Sequence, residues 1–198
     1  YDAEKKPGIG FRAPFCPSLW GGKDWPPAAY NPGTALLYIP VNENLCGSIL
    51  GREVEYEPGR SFTGAESQMT VWPGAEHIGE LQAWDMNTGE EVWTREFESP
   101  NWGPVLTTAG NLVFMGGTTD RNFRAFDART GDQLWEHGTN SGVIGVPSTY
   151  MIDGVQYVAV QSGWGVDAAS MTRRINRDLG TEIFVPEGGV IWVFALQN

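Results

Sequence analysis

Apolar and polar residues alternate in short runs along most of this chain, and glycine, proline and asparagine separate the runs. That is the period of half-buried strands punctuated by turns. Residues 81–85 alternate toward a core, Asp85-Met-Asn-Thr-Gly89 makes a turn, and Val92 and Trp93 open a return strand. Residues 103–117 read as two strands joined by Ala109-Gly-Asn111, and residues 145–160 as two strands turning at Asp153-Gly154. A third hairpin covers residues 28–40 and turns at 31–34, and residues 188–196 supply a last strand like that at 124–126. Helical periodicity is confined to about 168–177, within an insertion near 166–187 that precedes the last strand.

The pattern repeats. Ala83-Trp-Asp-Met-Asn-Thr-Gly-Glu-Glu-Val-Trp93 is answered 42 residues later by Ala125-Phe-Asp-Ala-Arg-Thr-Gly-Asp-Gln-Leu-Trp135. A strand-and-turn repeat of about 40–45 residues is the period of a β-propeller blade. The expected class is all-β, with 1–198 forming a partial propeller of about four blades. Asp85 and Asp127 could be mistaken for a catalytic carboxylate pair, but they hold identical turn positions. Each can accept backbone N–H groups across its turn, while Gly89 and Gly131 supply positive φ. Trp93 and Trp135 give each unit an aromatic anchor that one isolated sheet could bury only against a neighbour.

Charge narrows the function. The chain has 13 Lys and Arg against 24 Asp and Glu, a formal net charge of −11, and no basic stripe to neutralise phosphates, so nucleic acid is not an expected partner. Apolar runs stop short of membrane-spanning length, so no transmembrane segment is expected. With neither an initiator Met nor a signal sequence, the chain reads as processed or as a fragment. Cys16 and Cys46 flank one hairpin; a disulfide and two buried thiols both fit that spacing. Without a C-x-x-C pair, and with His77 and His137 distant in sequence, zinc is not expected.

Four segments carry a family resemblance. They are Phe15-Cys-Pro-Ser-Leu-Trp-Gly-Gly-Lys-Asp-Trp-Pro-Pro27 with Leu37-Tyr-Ile-Pro-Val-Asn-Glu-Asn-Leu-Cys46, the two Asp-x-x-Thr-Gly units, Ser99-Pro-Asn-Trp-Gly-Pro104, and Ser141-Gly-Val-Ile-Gly-Val-Pro147 followed by Gln161-Ser-Gly-Trp-Gly165. In order and spacing they resemble the C-terminal part of the quinoprotein alcohol dehydrogenases, the pyrroloquinoline quinone (PQQ) enzymes related to methanol and ethanol dehydrogenases. The resemblance implies the C-terminal half or so of an eight-bladed propeller, with PQQ near its axis over Ca²⁺ or a lanthanide ion. It implies oxidation of an alcohol to the aldehyde or ketone, a c-type cytochrome or similar electron acceptor, and a periplasmic location. Its implied partners include the remaining N-terminal part of the propeller, and it leaves room for a homodimer. The family's catalytic Asp and most of its metal ligands fall before residue 1, so no catalytic residue is assigned within this chain.

The resemblance also implies roles residue by residue. Asp24 stands where the family commonly has an Asn that reaches the quinone oxygens and the metal. An ionised Asp can only accept hydrogen bonds, so Asp24 would bind the metal, pair with Lys23 or an arginine of the missing half, stay protonated beside the cofactor, or be a solvated loop residue. Trp102 matches a family tryptophan that touches PQQ, and it lies outside the Trp93/Trp135 repeat position. Gly165 and Val166 fall where backbone N–H groups could hold a PQQ carboxylate, since Gly163 and Gly165 permit close approach. Trp25, Trp164 and Asp167 are expected around the substrate pocket, with core packing the other reading of Trp25. Asp167 replaces a common family tryptophan, giving a more polar or roomier pocket and arguing against methanol as substrate. The resemblance further pairs Cys16 with Cys46. A non-catalytic propeller serving as an assembly scaffold would need the repeat, but not the 15–25 and 162–165 loops.

Overall fold

The computed structural model describes residues 2–60 and 62–196. After a 3-10 turn at Ala3–Lys5 come β1 (Arg12–Phe15), β2 (Ala29–Asn31), β3 (Leu36–Asn42), β4 (Leu45–Gly51), β5 (Ala65–Val71), β6 (Gly79–Asp85) and β7 (Glu91–Phe97). Then follow β8 (Val105–Thr107), β9 (Leu112–Met115), β10 (Asn122–Asp127), β11 (Gln133–Gly138), β12 (Ser148–Ile152), β13 (Val155–Ser162), α1 (Val166–Leu179) and β14 (Val190–Ala195). All the strand pairs are antiparallel.

Two sheets have four strands in chain order, β2-β3-β6-β7 and β8-β9-β10-β11, and β12-β13-β14 has the same order with three. The fourth sheet, β1-β4-β5, is of another kind, because β4 and β5 are interposed between β3 and β6. Register shows how large the interruption is. Leu36 pairs with Asp85 as Leu112 pairs with Asp127. Leu36 and Leu112 are 76 residues apart, whereas Asp85 and Asp127 are 42 apart, so the excursion adds 34 residues to one unit.

The strand period explains the packing. In β8-β9-β10-β11, Val113, Met115 and Phe126 face one way and pack with Leu36, Tyr38, Leu81, Ala83 and Trp93 of the preceding sheet. Phe114, Phe123 and Ala125 face the other way and pack with Val158 and Val160 of the following sheet. Successive side chains point to opposite faces, so a central sheet must be apolar on both. Both four-stranded sheets shift register at the repeat, between Ala83 and Trp84 and between Ala125 and Phe126.

The repeat turns are built as their sequence requires. Asp85 Oδ1 accepts the N–H of Asn87 (2.7 Å), and Asp127 Oδ1 accepts those of Arg129 (2.8 Å) and Thr130 (3.0 Å). The Arg129 and Thr130 donors hold the Asp127 carboxyl below the usual range. Gly89 and Gly131 sit at φ 73° and 70°. The two anchors differ, however. Trp93 is 9% exposed and donates its indole N–H to the Ala128 carbonyl of the next sheet (3.1 Å). Trp135 is 37% exposed and lies beside an apolar cleft of about 600 Å³.

Candidate functional site

Three loops that carry the family resemblance meet around one aromatic cluster. Trp102 and Trp164, each 2% exposed, pack with Ala168, Ala169 and Val185, and Trp20 joins them from the first loop. The Trp20 and Trp102 rings meet edge to face at 5.1 Å.

The first loop, residues 16–28, is pinned along its length. A disulfide joins Cys16, just beyond β1, to Cys46 in β4. Ser18 donates its N–H to the Leu45 carbonyl (2.7 Å), the Gly22 carbonyl accepts the Asn42 N–H (2.7 Å), and the Pro27 carbonyl accepts the Val105 N–H of the next sheet (3.0 Å). Between these anchors stand Asp24, half-buried, and Trp25, 50% exposed. Asp24 Oδ1 accepts the N–H of Trp25 (2.8 Å), and among the described residues it pairs with neither Lys23 nor an arginine.

The second loop approaches through glycines. Trp102 donates its backbone N–H to the Gly117 carbonyl (3.0 Å). A Cβ on Gly103 would overlap the Gly116 carbonyl, and one on Gly117 would overlap the Gly103 backbone. No side chain fits between these two segments, so Trp102 is held by main chain on main chain.

The third loop closes over Trp164. Its backbone N–H is accepted by Ser141 Oγ (2.9 Å), while the Ser141 hydroxyl donates to the Pro186 carbonyl. Its indole N–H donates to Thr172 Oγ1 (2.9 Å) within α1. Trp164 is therefore packed beneath the helix, and its edge reaches a cavity of about 350 Å³ that also involves Ile144, Gly163, Gly165, Val166 and Glu187. Gly165 is the N-cap of α1 and offers no side-chain cap, Val166 is 84% exposed, and Asp167 is exposed in the first helical turn. The first N–H groups of a helix have no intrahelical acceptor, and they favour negative charge.

The far end of α1 is fixed to β5. Asp178 Oδ2 accepts the Met69 N–H (2.8 Å), and Arg177 Nε donates to Asp178 Oδ1 (2.7 Å). Burial would raise the Asp178 pKa, but the Arg177 and Met69 donors and the charges of Arg177 and Arg174 outweigh it and hold the carboxyl low. The helix thus spans from the third loop to the sheet that the disulfide secures. Among the described residues, no group of three or more His, Cys, Asp or Glu could hold a metal ion. Nor is any helix there long and apolar enough to cross a membrane.

Comparison with known proteins bears on this arrangement. Residues 94–158 match the PQQ family of glucose, ethanol and alcohol dehydrogenase β-propeller domains. The quinoprotein alcohol dehydrogenase PedH of Pseudomonas putida is 42% identical over 188 residues, which cover 92% of this chain and 30% of that protein. A lanthanide-dependent methanol dehydrogenase of Methylorubrum extorquens is 36% identical over 196 residues, covering 93% of this chain and 32% of its own length. The solved structure of a europium-containing methanol dehydrogenase superposes with a TM-score of 0.83 at 34% identity, over 98% of this chain and 36% of that one. The chain belongs to the quinoprotein alcohol dehydrogenase family.

As a quinoprotein segment it corresponds to the C-terminal part of the family's propeller, and it spans about a third of the length of these relatives. Its all-β fold is a partial propeller of that kind. Sequence reasoning named Trp102 and Trp164, which the fold brings into one cluster, and Asp24 and Trp25, which it sets on the loop leading from that cluster. It did not name Trp20, Asn42 or Asn101. The last two are 2% and 1% exposed, and their signal was an asparagine beside an apolar strand end and another beside Trp102.

Proposed function

We propose that the protein containing this chain oxidises an alcohol to the aldehyde or ketone using PQQ and Ca²⁺ or a lanthanide ion, and that this chain supplies part of the cofactor chamber as one partial-propeller unit. The observation that supports this reading most is the convergence of the 16–28, 101–103 and 162–167 loops on Trp20, Trp102 and Trp164.

The residues present fit the group in kind. PQQ is a flat polyanion, and the uncapped start of α1 at Gly165 and Val166 offers backbone donors for a carboxylate beside a cavity. Trp102, buried in the cluster, would back the cofactor wall, and Asp24, with only a local acceptor role, retains oxygen lone pairs for a hard cation. Its other ligands would come from the rest of the protein. Trp25 and Asp167, both exposed, would line the alcohol side, and Trp164 would back it. When bound, PQQ supplies a two-electron acceptor and the metal a Lewis acid. The chain's own contribution is to orient the cofactor and exclude water around it. Electrons would leave to a c-type cytochrome or similar carrier. The Cys16–Cys46 disulfide supports an oxidising compartment such as the periplasm.

The test uses the intact protein in apo form. Dye-linked oxidation of primary and secondary alcohols should appear only when PQQ and Ca²⁺ or a lanthanide are both added, with one PQQ bound per chain. Failure to bind PQQ under any metal condition would overturn the reading and leave a non-catalytic propeller.

A further inference from the structure

We infer that Asn42 and Asn101 form a buried amide knot that sets the position of the Asp24 loop relative to Trp102, and that both are positioning residues for the cofactor wall. The inference rests on the function proposed above.

Both side chains are almost fully buried, Asn42 at 2% and Asn101 at 1% exposed. An amide withdrawn from water is costly unless its hydrogen bonds are replaced. Here the side-chain replacements run to the segment around Trp102 and to the strands beside it, while the tie from residue 42 to the Asp24 loop is made by main chain. Asn42 is the last residue of β3. Its backbone N–H donates to the Gly22 carbonyl, two residues before Asp24 (2.7 Å). Its side-chain Oδ1 accepts the N–H of Asn101, the residue before Trp102 (2.9 Å). Asn101 Oδ1 then accepts the N–H of Gly103, the residue after Trp102 (2.9 Å). Asn101 Nδ2 donates to the Glu80 carbonyl at the start of β6 (2.7 Å) and to Met115 Sδ at the end of β9 (3.0 Å).

Trp102 is thereby held on both flanks by the two asparagines, and its own N–H is held by Gly117. The knot ties two neighbouring four-stranded sheets at their strand ends, where the site loops emerge. An apolar residue of similar size would fill the same volume at either position, but it would leave the Asn101 or Gly103 N–H without an acceptor. A carboxylate or amide oxygen is what these N–H groups require. Neither asparagine has a role in the reaction itself; each acts by fixing the backbone around Trp102 against the strand end to which the Asp24 loop is bonded. Sites tolerate little slack of this kind, since displacement of a supporting shell by about 1 Å is enough to cost about a hundredfold in rate.

The experiment compares Asn42→Ala and Asn101→Ala with Val113→Ala in the intact apoprotein. Val113 is fully buried between the same two sheets but bonds to no site loop through its side chain. Two readouts are taken: the dissociation constant for PQQ from quenching of tryptophan fluorescence, and amide hydrogen exchange in residues 18–25 and 99–104. The asparagine variants should weaken PQQ about tenfold or more and speed exchange in 99–104 more than in 18–25, where the main-chain bond from residue 42 to Gly22 survives, while Val113→Ala stays within about twofold despite lower thermal stability. Asn42→Asp, which keeps an acceptor, should recover most of the affinity. Equal PQQ affinity in Asn42→Ala and wild type, or exchange changed no more than in Val113→Ala, would overturn the inference. Wild-type apoprotein that binds no PQQ would instead overturn the proposed function, and the exchange readout would still decide the knot. Should Asn42→Ala fail to fold, Asn42→Leu, similar in size and without an acceptor, is judged by the same criteria.

Discussion

The indole of Trp93 abuts Gly131 of the next sheet, so close that a Cβ at residue 131 would stand 2.6 Å from two ring carbons. The same turn offers its Ala128 carbonyl to both the Trp93 N–H (3.1 Å) and the Tyr38 hydroxyl (3.0 Å). One turn therefore fixes two aromatic residues of its neighbour, and the repeat places a glycine there for two reasons, backbone conformation and proximity.

Substitution separates those reasons. Gly131→Ala meets both a positive φ and the Trp93 ring, and should destabilise the chain by about 2–4 kcal/mol. Gly89→Ala occupies the equivalent turn at φ 73° with nothing within 4 Å, and should cost only about 1–2 kcal/mol. Denaturant unfolding of the two variants checks the order; equal losses would mean that the ring contact contributes nothing.

Reduction of the Cys16–Cys46 bond, which spans 30 residues, should remove about 3–4 kcal/mol through the freedom restored to the unfolded chain. Its local effect should fall on residues 16–28, because Cys16 anchors the start of that loop. Hydrogen exchange after mild reduction should quicken there before it does in β9 or β10.

Acid should undo the α1 anchor. The folded Asp178 carboxyl titrates below its unfolded value, so its stabilising effect is complete above the ordinary Asp pKa of about 3.9 and is lost as pH falls through the lower folded value. Wild type should lose stability across that acid window more steeply than Asp178→Asn, which has no proton to gain. Parallel pH profiles of unfolding free energy for the two proteins would contradict this.

Asp24→Asn tests the metal role. The half-buried side chain makes one local bond, so stability should change by less than about 1 kcal/mol. Removing one negative charge weakens attraction to a trivalent ion more than to a divalent one. Lanthanide affinity of the intact protein should therefore fall further than Ca²⁺ affinity, as measured by competition titration. An unchanged ratio would remove Asp24 from the metal environment.

Legibility in the sequence followed locality. β6, β7, β10 and β11 were readable because alternation and Asp-x-x-Thr-Gly turns specify a hairpin from neighbouring residues alone. The Asp153-Gly154 turn was readable for the same reason, with both residues at positive φ. The helix was expected at about 168–177 and runs from Val166 to Leu179. β1, β4 and β5 were not foreseen as one sheet. Leu45–Gly51 is buried without clear alternation, and Arg12 finds its partner at Leu50, far along the chain. Trp93 and Trp135 look interchangeable in sequence, yet what covers each depends on the neighbouring sheet. In the site, Trp102 stood out because it breaks the repeat. That Trp164 is roofed by α1 depends on a helix whose docking partner, Met69, lies 109 residues from Asp178.

The Trp93 contact has a polarity. The strand β7 provides the ring and the following sheet provides the turn that shelters it, whereas a Cβ on Gly89 of the 85–89 turn would meet nothing within 4 Å among the described residues. Loss of the β10–β11 turn would bare an indole in the sheet before it, while loss of β7 would strip that turn of the Arg95 bonds to Thr130, Gly131 and Asp132 but leave its own Asp127 bonds. The two losses therefore differ in kind: one bares an apolar ring, and the other frees a charged turn that Asp127 still closes.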